Sequence, residues 1–316
     1  MSDIKIIFGA LGEAWKSDET GPKVLDILTK EGIKNIDTAR IYEGSEELLG
    51  KRGAAQRFTI DTKHPGGWRS EPATKANVLE IAEKSLGLIQ TKQVDIYYLH
   101  SPDRKARLED TLEGINELYK QGKIKRFGLS NFLTNEVEDV IRVATEKGYV
   151  LPTVYQGNYS AVARKVEDTL FPLLRKHNIA FYAYSPIAGG FLAKTRAQVL
   201  EGAARFDPES PVGKIYSTLY NKPTFLDALD KWGAISSENA IPKAELAYRW
   251  IAYHSALSKD YGDGIIVGAR TPDQLTETIV GLRNGPLPEK AVEEIQGVWD
   301  IIKDDAGLDN FNLNNA

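Results

Sequence analysis

Along nearly the whole chain, short apolar runs alternate with stretches whose apolar residues recur every third or fourth position. Eight runs read as strands: IKIIFGA (4–10), KNIDTA (34–39), RFTIDTK (57–63), VDIYYLH (94–100), IKRFGLS (124–130), TVYQG (153–157), IAFYAYS (179–185) and GIIVGA (264–269). The stretches between them read as helices. ATKANVLEIAEKSLGLI (73–89) sets Val78, Ile81, Ala82 and Leu86 in one stripe. RLEDTLEGINELYKQGK (107–123) opens on acids and stops at Gly122 beside lysines, as the helix dipole and a glycine stop favour. LTNEVEDVIRVATEKG (133–148) offers Thr134 or Asn135 as N-cap and closes on Gly148. PKAELAYRWIAYHSAL (242–257) begins with a proline at a first-turn position.

Eight strands, most followed by a helix, predict an α/β fold, a single (β/α)8 TIM barrel spanning residues 1–316. An open doubly wound sheet is the competing architecture. Strand count and length favour the barrel, and no G-x-G-x-x-G follows the first strand; GALGEAW (9–15) has its glycines at other spacings. The segment between Tyr184 and Pro242 breaks the rhythm, and is expected to be a long loop after the seventh strand, of the kind that often carries function. A last helix (289–303) lies outside the barrel count. The polar tail 306–316 is expected to be loose or to cover the barrel mouth.

The composition leaves this picture intact and removes some chemistries. With 316 residues, 42% hydrophobic and 27% charged, the chain can build a core without staples. It has no cysteine, which excludes structural disulfides, thiolate nucleophiles and cysteine-bound zinc. A net charge of −4 gives no footprint for nucleic acid or a membrane surface. The chain opens on no signal-like segment and no apolar run approaches ~18 residues, so the reading is a cytoplasmic protein with no membrane partner.

In a βα barrel the strand C-termini build the active site. Strand two delivers Asp37 there, strand three Lys63 and strand four His100. Tyr42 follows Asp37 by five residues, a spacing that fits neither a helix face nor a strand face. A strand end plus a turn accounts for it, folding Tyr42 back over the same mouth. Each residue alone has a plain structural reading: a turn acid, a solvated lysine, a packing tyrosine, a core histidine. Their convergence on one rim points to chemistry. A Lys63–Asp37 pair beside Tyr42 is expected to favour the phenolate, letting Tyr42 donate a proton. A neutral His100 would orient a carbonyl oxygen.

These motifs resemble the aldo-keto reductase family nearly end to end. The resemblance rests on DTARIY (37–42), Lys63, VDIYYLHSPD (94–103), GKIKRFGLSNF (122–132), YAYSPIAGGFLA (182–193) and GARTPDQLTET (268–278). DTARIYEGSEELLG and the ARF segment (204–206) resemble its aflatoxin-aldehyde and succinic-semialdehyde reductase branch. The resemblance implies a TIM barrel that reduces aldehydes or ketones with NADPH and no metal, with Tyr42 as general acid, Lys63 and Asp37 as its support, and His100 at the carbonyl. It further implies Ser130, Asn131 and Gln156 at the nicotinamide carboxamide, Tyr184 stacked on the ring, and Ser185, Ile187 and Gly189 along the pyrophosphate. Gly268, Arg270 and Gln274 fall where the family reads the 2′-phosphate and adenine. Many members have a Lys-Ser pair at Gly268-Ala269, Arg at Gln274 and Asn at Thr278, so here Arg270 is the group left to bind phosphate. By analogy with the branch, a homodimer is expected.

Trp15, Trp68 and the long segment are expected to shape the substrate pocket, with Arg205 meeting a substrate carboxylate. Two other readings stand beside the reductase. One is an NADPH-binding regulatory or redox-sensor subunit of the same fold. The other is a Schiff-base aldolase using Lys63, which ion pairing to Asp37 disfavours.

Overall fold

The computed structural model describes residues 4–313 of the chain. Eight parallel strands close into a barrel in sequence order: β1 (Lys5–Gly9), β2 (Asn35–Asp37), β3 (Thr59–His64), β4 (Val94–Leu99), β5 (Ile124–Ser130), β6 (Pro152–Asn158), β7 (Ala180–Tyr184) and β8 (Gly264–Val267). All eight lie within or within one residue of the predicted runs. Closure comes from β1 pairing with β8, Ile7 opposite Ile266 and Phe8 opposite Val267.

Because strand side chains alternate faces, each strand feeds two cores. Ile7, Ile96, Tyr98, Val154, Ala180, Tyr182 and Ile266 pack together inside the barrel. The opposite faces, with residues such as Phe8, Ile36, Tyr97, Phe127 and Phe181, pack under the outer helices. The interior is crowded enough to require small residues in places. A Cβ on Gly128 would stand 2.4 Å from the ring of Tyr98, its registered neighbour on β4. Gly128 thus leaves room for a tyrosine whose ring lies 5.5 Å from the Lys63 ammonium.

The predicted helices form at Lys75–Ile89, Leu108–Lys120, Thr134–Lys147, Lys243–Tyr253 and Glu289–Ile302. One start differs. Thr134 is already helical, and the cap is Leu133, whose N–H donates to Glu136 Oε2 at 2.8 Å. The larger difference lies after β7. The segment expected as a long loop folds into a 3-10 turn at Ala188–Ala193 and helices at Arg196–Leu200, Pro211–Tyr220 and Pro223–Glu238. Start signals explain it: Ser210 caps through Gly213 N, and Pro211 and Pro223 occupy first-turn positions. Short helices interrupted by prolines blur the periodicity that would reveal a longer one.

At the far end of the chain, residues after the last helix return to the mouth. Asn158 Nδ2 donates to Leu308 O at 3.5 Å, and Asn312 Nδ2 to Asn131 O at 2.9 Å. Among the described residues no helix is long and apolar enough to cross a membrane.

The interior packing predicts that Gly128→Ala destabilises the fold by about 1–3 kcal/mol through overpacking against Tyr98. Denaturant unfolding checks this; an unchanged midpoint would show that Tyr98 can yield.

Candidate active site

The peptide after Asp37 shows how a spacing of five reaches across the mouth. Thr38 N donates to Asp61 O at 2.8 Å and Arg40 N to Lys63 O at 3.3 Å, so the chain follows β3 slightly past the end of β2. It then reverses, with Tyr42 N donating to Ala39 O at 2.9 Å. The turn is pinned from below: Ser45 Oγ lies 2.7 Å from Thr38 Oγ1 and donates to Ala10 O at 2.7 Å.

Lys63 is 0% exposed. Its Nζ donates to Asp37 Oδ1 at 2.7 Å, Asp37 Oδ2 at 2.6 Å and Thr38 O at 2.7 Å. Asp37 Oδ1 also accepts from Gln156 Nε2 at 2.9 Å. Burial pushes the lysine below its ordinary value, and Asp37 opposes that shift. Tyr42 lies beside the pair, its ring centre 5.2 Å from Lys63 Nζ and 5.6 Å from the His100 ring, edge-on.

The electrostatics correct one expectation. The Tyr42 phenol is raised far above its ordinary value of 10.0, first by burial and then by Asp37, with Arg205 pulling the other way. The lysine charge does not make a phenolate, because Asp37 already matches it. His100 is pushed well below its ordinary 6.5, first by burial and then by the Lys63 charge. It is a neutral imidazole, and its buried Nδ1 has no hydrogen-bond partner in the protein. The result is a mouth with a neutral phenol and a neutral imidazole above a compensated ion pair.

The residues expected at the nicotinamide form one network. Asn131, at φ 60°, donates through Nδ2 to His100 O at 2.8 Å and Ser130 Oγ at 3.1 Å. Its Oδ1 accepts from Tyr184 OH at 2.7 Å. Beyond Tyr184 the backbone adopts left-handed conformations at Ser185 (φ 54°), Ala188 (51°), Gly189 (66°) and Gly190 (101°). Two non-glycine residues in such conformations within four positions mark a strained turn, a recurrent feature of ligand sites. Tyr216, which sequence reasoning missed, closes this turn. Its OH lies 3.0 Å from Ser185 Oγ, and a Cβ on Gly189 would stand 2.0 Å from its ring.

Further along, Lys194 is depressed by burial and then by the charge of Arg270, which places two cations near each other. Lys194 was not singled out in the sequence. The Arg270 N–H donates to Gln274 Oε1 at 3.1 Å, so Gln274 holds the Arg270 loop. Gly268, as expected of glycine, brings no side-chain charge.

Of the expected pocket residues, Trp68 reaches the tetrad, its ring 6.3 Å from His100. Phe311 from the tail packs on Trp68 at 5.0 Å, another contact that the sequence did not announce. Arg205 Nη1 lies 3.4 Å from Tyr216 OH. Trp15 does not line the mouth. It is 0% exposed, packed on Phe8 at 6.3 Å with the Arg52 guanidinium 4.7 Å from its ring. The burial tendency of a large aromatic prevails there. Two cavities flank the rim. One of about 560 Å³ is lined by Arg40, Tyr42, Glu43, Arg69 and Leu88, among others. The second, about 330 Å³, is lined by Arg40, His64, Gly66, Arg69 and Asn77, among others.

Residues 5–300 match the family model of the Aldo/keto reductase family. The oxidoreductase sirO of Leptosphaeria maculans is 41% identical over 91% of this chain and 88% of its own. An aldo-keto reductase of Pseudocercospora fijiensis is 36% identical over 89% of this chain and 97% of its own. The aflatoxin B1 aldehyde reductase member 4 of Homo sapiens is 32% identical over 93% of each.

Removing one member of a buried ion pair strands the other. Lys63→Met is predicted to destabilise the fold by about 3–5 kcal/mol, with the double change Lys63→Met, Asp37→Leu regaining part of the loss. Chemical unfolding of both variants checks this; a single variant as stable as the parent would contradict the pairing.

Proposed function

The chain belongs to the aldo/keto reductase family, and from that premise we propose that this oxidoreductase reduces aldehydes and ketones with NADPH, Tyr42 acting as general acid. The observation that carries the reading is the convergence of Asp37, Lys63, Tyr42 and His100 at one barrel end, the first two and His100 buried and Tyr42 partly exposed.

The residues present suit an extended dinucleotide phosphate. The turn at Ser185–Gly190 carries four left-handed residues, the kind of backbone that can turn N–H groups toward an anion. Lys194 and Arg270 are neighbouring cations, and Arg270 can meet a phosphate bidentately. In this reading Ser130, Asn131 and Gln156 hold the carboxamide, Tyr184 stacks on the ring, Ser185, Ile187 and Gly189 follow the pyrophosphate, and Gly268, Arg270 and Gln274 surround the 2′-phosphate. The cofactor, when bound, supplies the hydride.

The protein's own groups do the rest. Tyr42 and His100 donate hydrogen bonds to the carbonyl oxygen, and negative charge growing there is stabilised where it forms. Tyr42 then gives that oxygen its proton. A phenol held neutral is the form that reduction needs. Asp37 keeps Lys63 in place, 5.2 Å from the Tyr42 ring centre. Trp68 walls the apolar side of the slot, and Arg205 receives a carboxylate on acidic substrates. The human relative named as an aldehyde reductase is consistent with aldehydes as the substrate class.

Tyr42→Phe is predicted to lower kcat at least about a hundredfold, the lower range for loss of a general acid, while NADPH titrated by fluorescence quenching binds as before. A mutant with near-full kcat would take the acid role from Tyr42. Wild-type kcat/KM for reduction should stay flat from about pH 6.5 upward until the depressed Lys63 loses its proton, since His100 stays neutral above its depressed value and Tyr42 protonated below its raised one. Turnover of an aldehyde panel separates this enzyme from a cofactor-binding sensor.

Arg270→Ala is predicted to weaken NADPH binding about 10–100-fold and leave NADH unchanged, the worth of a charge-assisted bond to phosphate. Equal losses for both cofactors would place Arg270 elsewhere.

A further inference from the structure

The turn that carries Trp68 is held by a side chain outside the tetrad. His64 follows Lys63 and is 1% exposed. The Gly66 N–H donates to His64 Nδ1 at 3.0 Å, so that nitrogen carries no proton. The proton therefore sits on Nε2, which donates to Asn77 Oδ1 at 3.0 Å. Asn77 is set in turn by the helix cap, its N–H donating to Thr74 Oγ1 at 3.3 Å.

The His64 backbone serves the other side. Its carbonyl accepts the His100 N–H at 2.9 Å. One residue thus holds the main chain of His100 and, through its ring, the turn bearing Trp68. Gly66 fits that turn closely: φ is +59°, and a Cβ would stand 2.1 Å from Ser101 O. His64, Gly66 and Asn77 also line the 330 Å³ cavity, and the imidazole bond fixes the Gly66 backbone at its edge.

We propose that His64 is a positioning residue for carbonyl binding. Its neutral imidazole, clamped between Asn77 and Gly66, sets the separation of Trp68 from His100 and hence the width of the substrate slot. The proposal rests on the reductase reading and concerns groups that this reading leaves without a role.

The experiment compares His64→Leu, which removes the acceptor, with His64→Asn, whose amide oxygen can replace Nδ1. His64→Leu is expected to raise KM for a bulky aromatic aldehyde about tenfold, the loss of one buried hydrogen bond, with kcat within about twofold. His64→Asn is expected to recover most of that loss. A second readout needs no turnover. Trp68 emission, isolated by subtracting a Trp68→Phe counterpart of each variant, should become more accessible to acrylamide in His64→Leu and return in His64→Asn.

If both variants lose equally, or if His64→Leu matches wild type in KM and quenching, the clamp is wrong. Should His64→Leu not fold, Asn77→Ala cuts the ring's other bond. It should raise KM about threefold and loosen Trp68, and no change would overturn the proposal. A wild-type protein that reduces no carbonyl defeats the reductase reading, while the quenching comparison still decides the clamp.

Discussion

An ammonium with no exposed surface must find acceptors for three protons inside the protein, and that demand organises the mouth of this barrel. Lys63 finds them in both oxygens of Asp37 and the carbonyl of Thr38. All lie on the neighbouring strand and the first residue after it. Desolvating each ion costs several kcal/mol, which a well-packed apolar pair would avoid. The arrangement is therefore not explained by stability. It holds the peptide after Asp37 against β3, and that peptide is the base from which the turn carries Tyr42 back over the lysine.

The same pairing sets the charge state of everything above it. Asp37 acts on Tyr42 and Lys63 on His100, so neither neighbour is driven to ionise. Burial then dominates, lifting the phenol and depressing the imidazole. Both effects favour the uncharged form, and both leave a hydrogen-bond donor at the mouth. A lone cation would have pulled both groups toward deprotonation, favouring the phenolate and disfavouring imidazolium, so that only the imidazole would stay uncharged. Asp61 shows the same preference for neutrality one layer down. Its carboxyl, fully buried on β3, is raised by burial and by Asp37.

How much of this the sequence disclosed depended on whether the signal was periodic or local. The eight strands were legible because each is a compact apolar run with its own flanking signals. Asp37, Lys63 and His100 were legible as strand ends, since the barrel fixes where strand ends meet. Tyr42 required only a turn. What stayed hidden depends on distant pairing. Tyr216 reaches Ser185 from a helix 31 residues on, and nothing local marks it. Phe311 meets Trp68 from the tail. Trp15 was misplaced because a tryptophan after a strand can face the mouth or the helices, and Arg52 decides it by stacking from another element. The lysine's effect on Tyr42 is hidden for a related reason: its charge already has a partner, and Asp37 raises the phenol.

Asn131 shows why these distant contacts matter together. Its side chain joins Tyr184 on β7 to the backbone of His100 beyond β4, and its carbonyl accepts from Asn312 of the tail. Asn312 Oδ1 accepts from Arg104, whose guanidinium lies 5.6 Å from the Phe311 ring, which covers Trp68. The Tyr184 side and the Trp68 side of the mouth are thus linked through one buried amide held in a left-handed backbone conformation. Such a conformation persists only where its surroundings over-determine it. Here three separate elements do so, and a shift in any one is felt on both sides of the mouth.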